Sequence, residues 1–325
     1  MNITQQLIEA GTKYKKEILA APVVAFDELK PYFNIQTGVQ GKVVGGILSL
    51  NAQFRPYRTA KDASDNIQIT PHEWEAFLGD LVKEFDPHVV LGTLYTERTG
   101  TKPDDMAIAR RIALEVALKA GEALYDALFV AQRNPAGNNS VDLFNGFSTV
   151  FAKAVTDGLA TTAKGNYMDM TATPINDINA GDVLKKMWRN LNRVLKRNAT
   201  LNLYCAPSIV DAYETWFQTE FGHVPWNQGY QKKELHCSRG KLKFVELDNM
   251  EGQDYMFVSV KDNMNIGFDN ESDKEQVEIR RPDNPKVVQL FMKTHFGVGF
   301  ETIMPEYLCG VKFSTPVEPE PEPEP

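Results

Sequence analysis

The sequence predicts an α+β protein, with helices and antiparallel hairpins mixed and no regular strand–helix alternation of a parallel sheet. Three observations carry that prediction. Residues 103–133, PDDMAIARRIALEVALKAGEALYDALFVAQR, keep an apolar helical period throughout, which at 1.5 Å per residue gives a helix roughly 45 Å long. The second half of the chain carries short β-rich runs, LNLYCAP, KLKFVELD, YMFVSV and MNIGF. Near the end, VEIRRPDNPKVVQLFMKTHFGVGFE reads as a long β pair turning between Pro282 and Pro285.

Taken in order, residues 4–19 form a weak amphipathic helix on Leu7, Ile8, Ile18 and Leu19, interrupted by Gly11. Pro22 and Pro31 then break the chain into extended pieces. The glycine-rich stretch that follows predicts two strands, near 42–54 and 66–70, joined by the polar tip RPYRTAKDASDN. Thr70-Pro71 followed by Glu73 and Glu75 predicts a helix running to about Phe85. Pro103, Asp104 and Asp105 suit the N-terminus of the long helix. Its apolar residues fall in two stripes, Ile108, Ile112 and Val116 on one, Leu114, Leu118, Tyr125 and Leu128 on the other. A helix apolar on two sides is the backbone of a domain.

NPAGNNS ends that helix, and VDLFNGFSTVFAKAV supplies a shorter one. ATTAKGNYMDMTA reads as extended, and INAGDVLKKMWRNLNRVLKR as a helix with Val183, Leu184, Met187, Leu191, Val194 and Leu195 on its apolar face. LNLYCAP is a buried strand, and SIVDAYETWFQTEFG a helix capped by Ser208 and closed by Gly222. A last strand, YLCGVKF, follows Pro305.

The chain has 325 residues, enough for about two structural units and for a large core without a covalent staple. Its net charge is −8, which argues against wrapping nucleic acid, a task for a basic face. Half of that excess, Glu318, Glu320, Glu322 and Glu324, sits in the terminal VEPEPEPEP, a charged, polyproline-like, disordered tail by composition. Cys205, Cys237 and Cys309 are few and far apart, so they write no disulfide framework and suit a reducing compartment. The longest N-terminal apolar run, 18–26, is too short for a membrane span and contains Pro22.

Motifs for chemistry are incomplete. Gly297 and Gly299 have the spacing of the first two glycines of a dinucleotide fingerprint, yet Thr302 stands at the third position and Pro305 where a helix should begin. A phosphate loop needs that helix N-terminus. Glycines that let a strand bend or pack closely are the better account. HEWEA opens like a zinc-protease helix but has Ala76 where the second histidine belongs, and His236-Cys237 are adjacent rather than spaced for one ion. GFSTV places Ser148 after Gly146 but ends in Val150, not the closing glycine of a nucleophile elbow. No cofactor, metal or catalytic residue is assigned.

The order of blocks carries a resemblance. An N-terminal arm, a glycine-bounded hairpin, a long helix, an α/β unit and a β excursion end in a returning strand. With LYCAPSIVDAYETWF, GKLKFVELDNM and VEIRRPDNPKVVQLFMKTHFGVGFETIMPEYLCGVKF, the chain resembles the major capsid protein of tailed bacteriophages, a shell fold shared with encapsulins. The resemblance covers nearly the whole chain except the Pro-Glu tail. It implies a phage-capsid-type fold with an N-terminal arm over 1–35 and an extended hairpin loop over 36–74. A peripheral domain follows over 75–156 with the spine helix, then an axial α/β domain over 157–273. Peripheral strands over 274–302, an axial return strand over 303–313 and the tail over 314–325 complete it.

On this resemblance the protein is structural and not an enzyme. It assembles with itself into pentamers and hexamers of an icosahedral shell, built in the host cytoplasm and part of the virion capsid. The shell encloses double-stranded DNA without reading its sequence, and no membrane is involved. Portal, scaffolding and maturation protease proteins are the implied partners. The hairpin tip, with Arg55, Arg58, Lys61, Asp62 and Asp65, would lie over a neighbouring subunit and pair charges across the contact. Each exposed pair contributes about 0–1 kcal/mol, and a closed symmetric assembly repeats it many times. Two other readings stay open: an α+β enzyme with an unrecognised carboxylate site, and another structural component of a virion.

Overall fold

The structure, a computed structural model, describes residues 18, 21–22, 24–49, 68–85, 105–222, 234–269, 277–280 and 288–314. These residues build two sheets and four α-helices around a shared core, the α+β class expected from the sequence.

The first sheet is organised on β10 (Val288–Phe300). Its leading half pairs antiparallel on one side with β9 (Val277–Arg280) and on the other with β3 (Gln68–Phe85). Its trailing half pairs with β8 (Met264–Phe268), and β1 (Asn34–Thr37) lies parallel beyond β8. β2 (Gly41–Ser49) pairs with the first half of β3, Gly41 opposite Ala76 and Ser49 opposite Gln68. The second sheet runs β4 (Tyr167–Asp169), β11 (Leu308–Lys312), β7 (Tyr255–Ser259), β5 (Leu201–Cys205), β6 (Leu242–Glu246). All five residues of β5 are buried, as suits a mostly apolar central strand, and its one amide, Asn202, donates to the Tyr204 hydroxyl at 3.2 Å.

The helix expected over 71–85 is instead the continuous strand β3. Two-residue alternation wins over the Pro-Glu helix-start signal. Trp74 and Ala76 are buried while Glu73 and Glu75 are exposed, and Leu78, Asp80 and Val82 are exposed in their turn. Pro71 sits where β2 is the strand's one partner among the described residues, an edge position that tolerates the missing N–H.

The long helix α1 (Asp105–Asp126) has 22 residues and stops short of the predicted end. Beyond it Leu128 and Phe129 turn fully into the core, held by the Gly146 N–H to the Ala131 carbonyl at 2.8 Å and the Phe147 N–H to the Leu128 carbonyl at 3.0 Å. Its buried stripe is Ala113, Ala117, Gly121 and Leu124, not either predicted stripe: Ile112, Leu114 and Val116 are half-buried and Leu118 is exposed. Small residues are needed because the segment at Pro22 crosses the helix there. A Cβ on Gly121 would lie 2.6 Å from the Pro22 carbonyl oxygen and 2.8 Å from its Cα. Gly121→Ala is therefore expected to destabilise the protein by about 1–3 kcal/mol despite alanine's better helix propensity. Urea denaturation of the two proteins measures it.

Three further helices cover the core: α2 (Phe147–Thr156), α3 (Ala180–Asn190) and α4 (Pro207–Phe221). α3 ends before its predicted last turns because Leu191 is extended, at φ −54 and ψ 145. A short 3-10 turn follows at Leu195–Arg197. α4 closes at Gly222, φ 73, as expected, but its N-cap is Ala206 with Pro207 in the first turn and no side-chain cap, so Ser208 does not play that part.

One apolar cluster joins both sheets. Phe151 of α2 stands between them, with Tyr255 and Phe257 of β7 at 5.7 and 5.5 Å between ring centroids and Phe300 of β10 at 6.2 Å. Gly310 of β11 makes room for it, since a Cβ there would lie 2.2 Å from the Phe151 ring. β8, inside the segment 157–273 expected as axial, pairs in the first sheet.

Candidate functional site

The feature that sets this fold apart from two ordinary packed sheets is the way β2 and β3 leave the first sheet as a two-stranded ribbon. β3 pairs with β10 from Phe85 back to Phe77. Its earlier residues then pass across the face of β10 and β8, and its inward side switches there from the half-buried Phe77, Gly79 and Leu81 to the buried Trp74 and Ala76.

Three glycines make that crossing possible. Gly267 of β8 lies opposite Gly297 of β10, and Gly299 is two residues further along β10 on the same face. A Cβ on Gly297 would stand 2.4 Å from the Glu75 carbonyl oxygen and 2.6 Å from the Ala76 Cα. On Gly299 it would stand 2.3 Å from the Trp74 Cβ, and on Gly267 2.6 Å from the Trp74 indole. The bare track is filled by Trp74, which packs with Val39, Ala76 and Val43. The Gly-x-Gly of the sequence thus receives a strand, in accord with the packing reading of these glycines.

Polar contacts pin the same root. The Val39 N–H donates to the Phe268 carbonyl at 3.0 Å. The Gln40 amide donates to Asp269 Oδ2 at 2.9 Å, and that buried carboxylate also meets His295 Nδ1 at 3.3 Å. Asn34 donates to Asn265, which donates in turn to Glu301 Oε2 at 2.8 Å. Glu301 reaches close under Gly45, where a Cβ would lie 2.7 Å from Oε1. Between the ribbon and α2 lies a cavity of about 380 Å³ lined by His72, Trp74, Phe77, Thr149, Lys153 and Val298 among others.

His72 is half-buried here. Burial pushes its pKa below 6.5, with Glu301 pulling partly back. A histidine held neutral in the fold loses stabilisation as pH falls through 6.5, because the unfolded chain then binds the proton more readily. Acidification from pH 7 to pH 5 is expected to destabilise the wild type more than a His72→Gln variant. Denaturation of both at the two pH values measures the difference.

The other sequence candidates fall elsewhere. Arg55, Arg58, Lys61, Asp62 and Asp65 lie outside the described residues, as does Asp104. His72 of HEWEA is on a strand, not a helix. Ser148 is buried in α2. The His236 ring packs on Phe217 and Phe221 at 5.7 and 5.8 Å. Burial pushes the Cys309 thiol up to about 12 and raises those of Cys205 and Cys237 too. Among the described residues no group of three or more His, Cys, Asp or Glu is placed to hold a metal ion, and no helix is long and apolar enough to cross a membrane. Trp74, Gly267, Asp269 and Glu301 were not singled out by the sequence. Gly267 inside a strand run was a signal of close approach.

No protein-family profile and no curated protein matches the chain by sequence. Solved structures do match by fold. A chain of the satellite phage P4 procapsid that includes the size determination (Sid) protein superposes with a TM-score of 0.56 at 11% identity, over 93% of this chain and 91% of that one. The capsid of the empty GTA particle gives 0.57 at 12%, over 88% and 95%. A chain of Gordonia phage Cozz gives 0.52 at 12%, over 89% and 86%. The class of fold is therefore that of phage-type capsid subunits, the one the sequence resemblance implied.

Proposed function

We propose that this protein is the major capsid protein of a tailed phage, which assembles with itself into the icosahedral shell around the double-stranded DNA genome. The observation that carries the reading is the ribbon. β2 and the first half of β3 pair with each other, and among the described residues no third strand joins them. A two-stranded ribbon alone is marginally stable in water. This one is anchored at its root on the glycine track and by Asp269 and Glu301, an investment that suits an arm reaching to a neighbouring subunit. The capsid fold, matched over most of both chains, supports the same role.

In this reading residues 36–74 are the extended loop, and Arg55, Arg58, Lys61, Asp62 and Asp65 meet the neighbour. Residues 75–156 and 274–302 form the peripheral domain, and 157–273 with 303–313 the axial one, with β8 crossing between them. Pentamers and hexamers close the shell in the host cytoplasm, with portal, scaffolding and protease proteins as partners and the virion capsid as destination. The role is structural and needs no catalytic group.

Deleting residues 55–66 tests the assignment. The variant is expected to stay folded and soluble, with the melting temperature of the wild type, because a polar tip contributes little to a core. Shells seen for the wild type by negative-stain microscopy are expected to be lost or irregular. Normal shells from the deletion variant would remove the tip from the contact.

A further inference from the structure

The segments that form α3, the turn after it and the turn before β6 are strongly basic. Residues 180–197 and 234–243 carry nine lysines and arginines against two carboxylates, Asp182 and Glu234, in a chain whose net charge is −8. Arg189, Lys196, Arg239 and Lys241 converge with Trp188 on one surface hollow of about 420 Å³. Among the described residues none of these four cations pairs with a carboxylate. Lys196 Nζ instead donates to the Arg189 carbonyl at 2.9 Å and sits 5.5 Å from the centre of the Trp188 ring. Lys241 Nζ donates to the Lys196 carbonyl at 3.0 Å. Partial burial holds the Lys196 ammonium below the ordinary lysine range, so an anion placed there would relieve a desolvated charge.

The backbone adds a second observation. Arg239 has φ 58, the one positive φ outside glycine among the described residues, and Gly240 follows at φ 79. Two successive left-handed residues make a tight turn, closed by the Lys241 N–H on the Ser238 carbonyl at 3.4 Å. Its first central position favours Asn, Asp or Gly. An arginine there is strained, and strain of this kind gathers at ligand sites. Here it presents an exposed guanidinium to the hollow.

We infer that this hollow is a site for the phosphodiester backbone of nucleic acid, with Arg189, Lys196, Arg239 and Lys241 neutralising phosphates and no base being read. Lysines and an arginine fork without carboxylate partners are the groups that bind phosphate. The inference stands on this face alone and does not depend on the shell reading. It departs from what the overall acidity implies, since a local basic face binds where the net charge repels.

The test is fluorescence anisotropy of labelled DNA, duplex and single-stranded and of two unrelated sequences, with the full-length wild type, Arg239→Asn and Arg189→Gln. The wild type is expected to bind all of them in a salt-dependent way. Each variant is expected to weaken binding equally across sequences and to lower the log–log salt slope by about one. Arg239→Asn suits its turn better, so its melting temperature should hold or rise while binding falls, which separates a lost site from a lost fold. A wild type that binds no DNA at low salt, variants that bind as the wild type does, or binding of poly-glutamate in place of DNA would each overturn the inference. Sizing the same samples reports assembly separately, so a failure here leaves the shell reading where it stood.

Discussion

Gly297→Ala is expected to lower the unfolding free energy by roughly 3 kcal/mol, the upper end for overpacking, and to prevent ordered assembly. The added methyl would meet backbone, with the Glu75 carbonyl oxygen at 2.4 Å and the Ala76 Cα at 2.6 Å. Backbone cannot rotate away as a flexible side chain can, so either β10 moves or the ribbon lifts from the sheet. Lifting it exposes Trp74, which is now 4% accessible, and withdraws the packing that holds the root of the ribbon. Leu78→Ala is the control on the same strand. Leu78 is exposed, and its loss is expected to change stability by less than about 0.5 kcal/mol. Urea denaturation gives the two free energies, and electron microscopy shows whether shells form. Wild-type stability and shells from Gly297→Ala would mean that the ribbon does not cross β10 where the structure places it.

Phe151→Ala is expected to be the most damaging single truncation, at about 3–5 kcal/mol. The ring is fully buried and touches Tyr167, Tyr255, Phe257 and Phe300, residues of three strands drawn from both sheets. Gly310 leaves the space it fills, so the hole cannot be closed from that side by a neighbouring side chain. Loss of the ring removes contacts that hold the two sheets at a fixed angle, and both solubility and assembly should suffer. Phe151→Leu keeps most of the volume and is expected to cost less than half as much. Equal losses from the two variants would show that ring edge contacts, not cavity volume, dominate at this position.

Where one element carried a single unopposed pattern, the sequence was readable. LNLYC, apolar but for Asn202, is the buried β5; YMFVS, MNIGF and LCGVK became β7, β8 and β11. Gly222 closes α4 as its position suggested. Two signals competed at 70–85. Thr-Pro followed by glutamates spoke for a helix start, while the alternation of Trp74 and Ala76 with Glu73 and Glu75 spoke for a strand. Pairing with β2 and β10 decided it, because tertiary context overrides a local start signal. The small-residue stripe of α1 was hidden for a similar reason. Ala113, Ala117 and Gly121 look like mere helix formers and a helix breaker until the crossing at Pro22 is known. The root of the ribbon was half legible. Gly297 and Gly299 stood out, but their partners Trp74, Glu75 and Ala76 lie more than two hundred residues away in sequence, and no local spacing reports such a contact. Asp269 and Glu301 became visible only through their long-range hydrogen bonds to Gln40 and Asn265.

The central proposal is that this chain assembles with copies of itself into a shell. Expressed full-length protein, separated by size and imaged by negative-stain electron microscopy, tests it most directly. Closed particles, or rings of five and six subunits that close on raising the concentration, are the predicted result. A particle of one subunit's mass at every concentration and salt condition tried, with the fold intact by circular dichroism, would contradict it.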